Sequence, residues 1–268
     1  MAHFDPSKRD TLEDFQMREI TLLGKTRRVY IAGEGPAVIV MSEMPGISPY
    51  VARFARWVRD AGLTVYMPSL FGRDGVMPGV PGTMVTLART CISREFRAFA
   101  ANSSSPVTQW LRALAAMAHE ECGGHGVGAI GMCFTGNFAL NMMLEKSVIA
   151  PVLSQPSLPM NDPAGLAISP EELERVKRRM EDEDLTVRAY RFEGDTFCAA
   201  AKFAAYEEAL GDRFVGTVLP DSAANPDAPL KTPHSIVTLH LIDEAGQPTV
   251  QARDEILDFF RARLIDGV

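Results

Sequence analysis

The chain is expected to fold as an α/β protein with a mostly parallel central sheet and helices on both faces. Three observations predict this. Short, continuously apolar runs recur along the sequence, such as 37–41 and 148–153, and strands buried on both faces read this way. Stretches of helical period alternate with them. At 128–136, an apolar strand runs through Gly131 into Cys133 and straight on into helix-forming sequence. With 268 residues and no repeat, low-complexity tract or dividing linker, residues 1–268 are read as one domain. Residues 1–15 are read as a flexible N-terminal segment.

The elements follow in order. Residues 18–23 and 27–32 read as paired strands around Gly24, and Gly33, Gly35 and Pro36 turn the chain into strand 37–41. After a loop with two prolines, Val51, Phe54, Ala55 and Val58 mark the apolar face of a helix over 50–61. Gly62 caps that helix, and strand 63–67 follows. Helical stretches at 84–101 and 107–121 precede the strand that enters Cys133, and a helix is expected over 134–145. The alternation continues with strand 148–153, helix 170–181, strand 185–192, helix 198–210 and strand 214–219. A terminal helix over 249–264 has Ile256, Phe259, Phe260 and Leu264 on one face. Residues 155–167 form an irregular excursion near the site.

Composition excludes several function classes. A formal net charge of −7 gives no basic field for nucleic acid. No apolar run approaches the roughly 20 residues that span a bilayer, so no membrane partner is expected. Residues 1–19 are dense in charge without an apolar core of leader type. Cys91, Cys122, Cys133 and Cys198 form no C-x-x-C pair, so reduced thiols and a cytoplasmic location are expected. His119, Cys122 and His125 stand at zinc-like spacing. Gly123 and Gly124 end a helix there, however, and a histidine in a last helical turn suits the macrodipole. No metal or other cofactor is expected.

The chemistry centres on Cys133. A nucleophile on a sharp strand-to-helix turn projects into the cleft above a sheet, beside the free N–H groups of a helix start. Gly131 lies two residues before Cys133 and Gly136 three after it; Thr135 stands where the G-x-S-x-G form has its second glycine. The competing reading is a buried core cysteine. A thiol nucleophile needs a base, and the base needs an orienting acid. Asp195, after strand 185–192, and His234, after the next strand, follow Cys133 in the order nucleophile, acid, histidine. Asp221 and Asp227 are alternative acids, and His3, His119, His125 and His240 are less well placed. The loop 41–46 follows the strand that supplies the other half of an oxyanion hole. The N–H groups of Met44 and Phe134 would then face the developing charge. Glu43 in that loop reads either as a carboxylate beside the thiol, opposing its ionisation, or as a solvated loop charge.

Together these residues resemble the dienelactone hydrolase family of the α/β-hydrolase superfamily. The matches are Cys133 in G-x-C-x-x-G, Glu43 in E-x-x-G, Asp195 after a glycine, and His234 followed by Ser235. The resemblance runs over about residues 15–265. It implies an α/β-hydrolase fold and hydrolysis of an enol-lactone, ester or thioester through a Cys–His–Asp triad and an acyl-enzyme. It also implies that Glu43 takes the thiol proton when substrate binds. Two arginines hold the substrate carboxylate in that family. Arg73 matches the first, but Thr238 stands at the place of the second, four residues past His234. Arg94 offers a replacement cation, with a solvated helix arginine as the competing reading. The longer segments 72–106 and 154–184 imply a differently shaped pocket. The expected partner is a small-molecule ester or lactone, and the chain is expected to be a monomer or homodimer. An acyltransferase or peptidase on the same triad, and a non-catalytic ligand-binding member of the fold, are the alternatives.

Overall fold

A computed structural model describes residues 5–7, 9–93, 95–96 and 104–268, without the side chains of residues 80, 81, 87, 91 and 92. Among the described residues, eight strands form one sheet in the order β1-β2-β4-β3-β5-β6-β7-β8. β1 (Gln16–Leu22) and β2 (Lys25–Ala32) are an antiparallel hairpin. Leu23 and Gly24 close it at φ 51° and 74°; two consecutive positive φ values match the twist of the flanking strands. β2 pairs antiparallel with β4 (Thr64–Pro68). β3 (Ala37–Met41), β4, β5 (Val127–Met132), β6 (Val148–Ser154), β7 (Val187–Phe192) and β8 (Phe214–Leu219) are joined by parallel ladders.

Successive strand residues face opposite sides, and this divides the core in two. Ile39, Met41 and Ala129 pack on one side with α3 (Pro106–Cys122), α4 (Phe138–Met142), α5 (Pro170–Asp182) and α6 (Ala200–Leu210). Val38, Val40, Ile130 and Met132 pack on the other with α1 (Pro49–Asp60) and α7 (Pro248–Arg261). These strand residues are fully buried, so truncating one such as Ile130 to alanine would cost about 2–5 kcal/mol. α1 shows how sequence fixes an element. Ser48 Oγ accepts from the Val51 N–H (3.3 Å) and Pro49 opens the first turn, where its missing N–H costs nothing. The remaining helix, α2 (Val80–Ile92), lies within the stretch 72–106. Among the described residues no helix is long and apolar enough to cross a membrane.

Three expectations need correction. The helix expected at 84–101 is α2, which starts earlier and ends at Ile92; residues 94 and 97–101 lie outside the described residues. The helix expected over 134–145 is a 3₁₀ turn at Cys133–Thr135 followed by the short α4. Beyond Met142 the bonds run three residues back, Glu145 N–H to Met142 O among them (2.9 Å), a tightening that satisfies the last carbonyls of a helix. The N-terminal segment is packed over residues 9–15. Leu12 and Phe15 are buried, and Asp10 and Asp14 grip Arg56 of α1 at 2.6 and 2.7 Å.

Register sets up the site. Met41 pairs with Gly131, Met132 with Ser154, and Phe192 with Leu219. The loops after β3, β5, β6 and β7 therefore leave the same edge of the sheet side by side. That edge, at the carboxyl ends of the strands, is where α/β sheets place their ligands.

Candidate active site

Cys133 adopts φ 52°, a left-handed conformation that a non-glycine residue rarely takes and that recurs where side chains are aimed for function. Its neighbours make the bend fit. A Cβ on Gly131 would run into the Thr135 carbonyl, and one on Gly136 would meet Pro156. Thr135 fits because its side chain is used. Its hydroxyl accepts from the Met132 N–H (3.0 Å) and lies within donating distance of the Met41, Ser42 and Met132 carbonyls (3.0, 3.2 and 3.1 Å). One side chain thus joins the end of β5 to the end of β3.

Cys133 is half-buried; its sulfur lies 3.5 Å from Ser157 Oγ, while the Ser157 N–H donates to the Cys133 carbonyl (3.0 Å). Ser157 belongs to the irregular 155–167 stretch, which is held by buried polar side chains. Asn137 accepts from the Leu158 N–H (3.2 Å) and donates to Leu166 O (3.2 Å). Lys202 Nζ is enclosed by the carbonyls of Leu158 (2.8 Å), Asp162 (3.2 Å) and Gly165. Burial lowers the Lys202 pKa to about 8, against smaller raising effects from Cys198 and Asp162.

Asp195 and His234 meet, Oδ2 to Nδ1, at 2.7 Å, and are only 2% and 4% exposed. The other oxygen of Asp195 accepts from the N–H groups of Phe197 (2.9 Å) and Cys198 (3.0 Å). Neither alternative acid reaches the imidazole: Asp221 accepts from the Gly194 N–H (2.8 Å), and Asp227 sits in an exposed turn closed by Asn225 (3.0 Å). Burial opposes the charge on His234, yet its pKa stands well above the ordinary value. The influence of the nearby Cys133 side chain and the bond to Asp195 outweigh the burial. His234 Nε2 is buried on the side away from Asp195, where the Cys133 side chain acts on the ring. The Phe197 ring, 52% exposed, meets the His234 ring edge-on at 5.2 Å.

Glu43 does not lie in solvent. It is 6% exposed and accepts from Ser235 Oγ (2.7 Å), Thr238 Oγ1 and Gln155 Nε2 (3.3 Å). Burial raises its pKa; the hydrogen bonds of Thr238 and Ser235, the charge of His234 and the Gln155 bond pull the other way. No hydrogen bond joins it to Cys133 among the described residues. Its loop turns tightly, Gly46 N–H to Glu43 O at 2.8 Å, which puts Met44 at the turn beside the elbow. Phe134 is anchored by its ring, edge-on to Phe71 and Phe96 (6.0 and 5.8 Å). Arg73 is exposed on a loop pinned by Asp74, which bonds Tyr30 and Ser69 (3.0 and 2.7 Å); its side chain does not join this group. Arg94 lies outside the described residues. At the end of α3, Gly123 (φ 69°) ends the helix with its N–H on the His119 carbonyl (2.8 Å).

Sequence reasoning missed Gln155, Ser157 and the use of Thr135. The only signal for the first two was the irregularity of 155–167. Gln155 has φ 36° and holds both Glu43 and the Ile236 N–H (3.4 Å).

A parallel sheet carrying a strained elbow and an acid–imidazole pair on its carboxyl edge defines an α/β hydrolase. The sequence places it further: the family model described as the dienelactone hydrolase family matches residues 24–213. The chain belongs to that family and is a carboxylic ester hydrolase. The matched span holds Glu43, Cys133 and Asp195 and ends before His234. No curated protein matches the chain. Among solved structures, a dienelactone hydrolase-like promiscuous phosphotriesterase from metagenomic libraries is similar with TM-score 0.61 and 16% identity, over 92% of this chain and 98% of its own. An esterase from the Planctomycetes species Thermogutta terrifontis gives 0.55 and 12%, over 95% and 94%. A thioesterase domain from the curacin biosynthetic pathway gives 0.55 and 9%, over 91% and 99%. At these identities the likeness is one of fold.

Proposed function

We propose that this single α/β-hydrolase domain hydrolyses a small ester, lactone or thioester through a Cys133–His234–Asp195 triad. The observation that carries the reading is the buried Asp195–His234 bond of 2.7 Å, with the Cys133 side chain close enough to raise the imidazole's pKa and held at φ 52°. The sulfur attacks the carbonyl carbon as His234 takes the thiol proton. The N–H groups of Met44 and Phe134 receive the oxyanion. His234 returns the proton to the leaving oxygen or sulfur, and the acyl thioester remains on Cys133. His234 then deprotonates a water that attacks the thioester, releasing the acid and the thiol.

Ser157 takes part by hydrogen-bonding the sulfur, a contact that Glu43 does not make here. Glu43 acts on His234 instead: its charge favours the imidazolium, and its hydrogen bonds hold Ser235 and Thr238. Thr238 occupies the place of a second substrate-binding arginine and is turned onto Glu43. We therefore take the acyl group to be uncharged, with Arg73 at most a rim contact.

Cys133→Ala tests the reading. Turnover of short p-nitrophenyl esters should fall at least about a hundredfold, with the circular dichroism spectrum unchanged. Retention of a tenth of the activity would exclude the acyl-enzyme.

A further inference from the structure

We infer that His240 is a positioning residue for the catalytic base, acting as an uncharged imidazole that holds the backbone of the His234 turn. The inference rests on the role given to His234 above. His240 is buried, and its Nδ1 accepts from two consecutive backbone donors, His234 N–H (3.3 Å) and Ser235 N–H (3.0 Å). Its Nε2 lies 2.8 Å from the Leu230 carbonyl, a contact only an N–H can make. The two sides together fix the tautomer: proton on Nε2, lone pair on Nδ1. Its backbone closes the same turn, N–H to Ser235 O at 3.0 Å, and its carbonyl receives the Asn225 N–H (2.9 Å). From β7, Phe192 meets the ring edge-on at 6.0 Å.

The ring must stay neutral to do this. An imidazolium has no lone pair, so protonation would set a third N–H against the two donors. The titratable groups acting on it are His234 and Asp195. Burial, the largest influence, lowers its pKa, and the charge of His234 adds to that; the Leu230 carbonyl and Asp195 oppose it. The turn is thus secure at neutral pH and fails only below the ordinary histidine range.

Two amides separate this role from simple packing. Asn places its oxygen where Nδ1 stands and can accept both N–H groups; Gln reaches the Nε2 position and serves Leu230 instead. For the full chain with a short p-nitrophenyl ester, His240→Asn should keep kcat within about threefold of the parent. His240→Gln should lose about tenfold or more in kcat with little change in KM, since small misplacements of a base are expensive. The Asn variant should also lose the part of the acid limb that His240 contributes. Equal losses in the two variants, or none in either, would overturn the inference. Nitrogen-15 histidine spectra of the unmutated protein provide a test that needs no variant: His240 should be the neutral Nε2–H tautomer at pH 7, and an imidazolium there would overturn it. Cys133→Ala, measured alongside, separates the two readings. If it stays active, both fall; if it is dead while Asn and Gln behave alike, only the role of His240 falls.

Discussion

The two halves of the proposed catalytic edge are built in different ways. The elbow at Cys133 is bent mainly by its own residues, with Gly131 and Gly136 allowing the close approach to Thr135 and Pro156 and Thr135 bonding both its own strand and the end of β3. The turn 234–240 is closed locally by His240, whose ring accepts from the His234 and Ser235 N–H groups, but it depends on distant segments as well. Side chains from elsewhere hold it: Glu43 takes Ser235 and Thr238, Arg53 of α1 donates to the Thr238 carbonyl (3.3 Å), and Gln155 receives the Ile236 N–H. A nucleophile aimed by backbone geometry has one orientation. A base aimed by many hydrogen bonds over long sequence distances is adjustable, and changes in other loops reach it.

The largest expected effect sharpens this contrast at the acid. Asp195→Asn should lower kcat by about 10²–10⁴, because an amide facing Nδ1 selects the wrong imidazole tautomer. The backbone bonds to Phe197 and Cys198 can persist through the amide oxygen, so thermal stability should change little. A variant that unfolds with its activity loss would show that Asp195 is chiefly structural.

Glu43 tests the long-range half. Glu43→Ala leaves Ser235, Thr238 and Gln155 without their acceptor and should cost about 1–3 kcal/mol in urea unfolding. It should also lower kcat about tenfold, a modest misplacement of the base. Glu43→Gln keeps an acceptor and should lose less stability than Ala. If the alanine variant unfolds at the parent's urea midpoint, the turn is held from elsewhere.

The elbow responds to a smaller change. Thr135→Val keeps the shape but strips the hydroxyl from the Met132 N–H, a loss of about 1–3 kcal/mol in stability with little loss of rate. Thr135→Ser should restore it. A valine variant as stable as the parent would mean the hydroxyl bridge between β3 and β5 is dispensable.

The smallest effect on activity is a pH dependence at the excursion 155–167. Lys202 has a pKa of about 8 when enclosed, against 10.5 when free. The opened state therefore binds more protons, and by linkage raising the pH from 8 towards 10.5 favours the closed state. Hydrogen exchange over 155–167, corrected for its intrinsic pH dependence, should show opening becoming rarer over that range. Lys202→Met should abolish the trend. A flat profile in the unmutated protein would place the amine outside its cage, and the opposite slope would mean that the carbonyls favour the charged form over the burial.

How much of this was legible in the sequence follows from the same division. The succession of strands and helices along the chain and the elbow were readable because apolar runs, helical periods and closely spaced glycines act over a few residues. Asp195 and His234 were readable from their order behind successive strands. The partners of Glu43 were not, since the bonds to Ser235 and Thr238 span 192 and 195 residues and no local pattern encodes them. His240 was passed over for a related reason. It stands in a run, 236–241, that looks like strand sequence, whereas the chain there is a tight turn closed by the ring itself. Arg73 was placed by analogy with a motif, and the exposure of its side chain depends on Asp74 and its partners.

Asp195 has both oxygens in use, one on the imidazole and one on the N–H groups two and three residues ahead. The loop 195–198 is for that reason closed to insertion and deletion: adding one residue would rotate the carboxylate away from His234. Phe197, half-exposed beside the imidazole, can change in kind but not in position. Evolution of new substrate preference on this scaffold should therefore run through side-chain replacement at 197 and through length variation elsewhere on the rim.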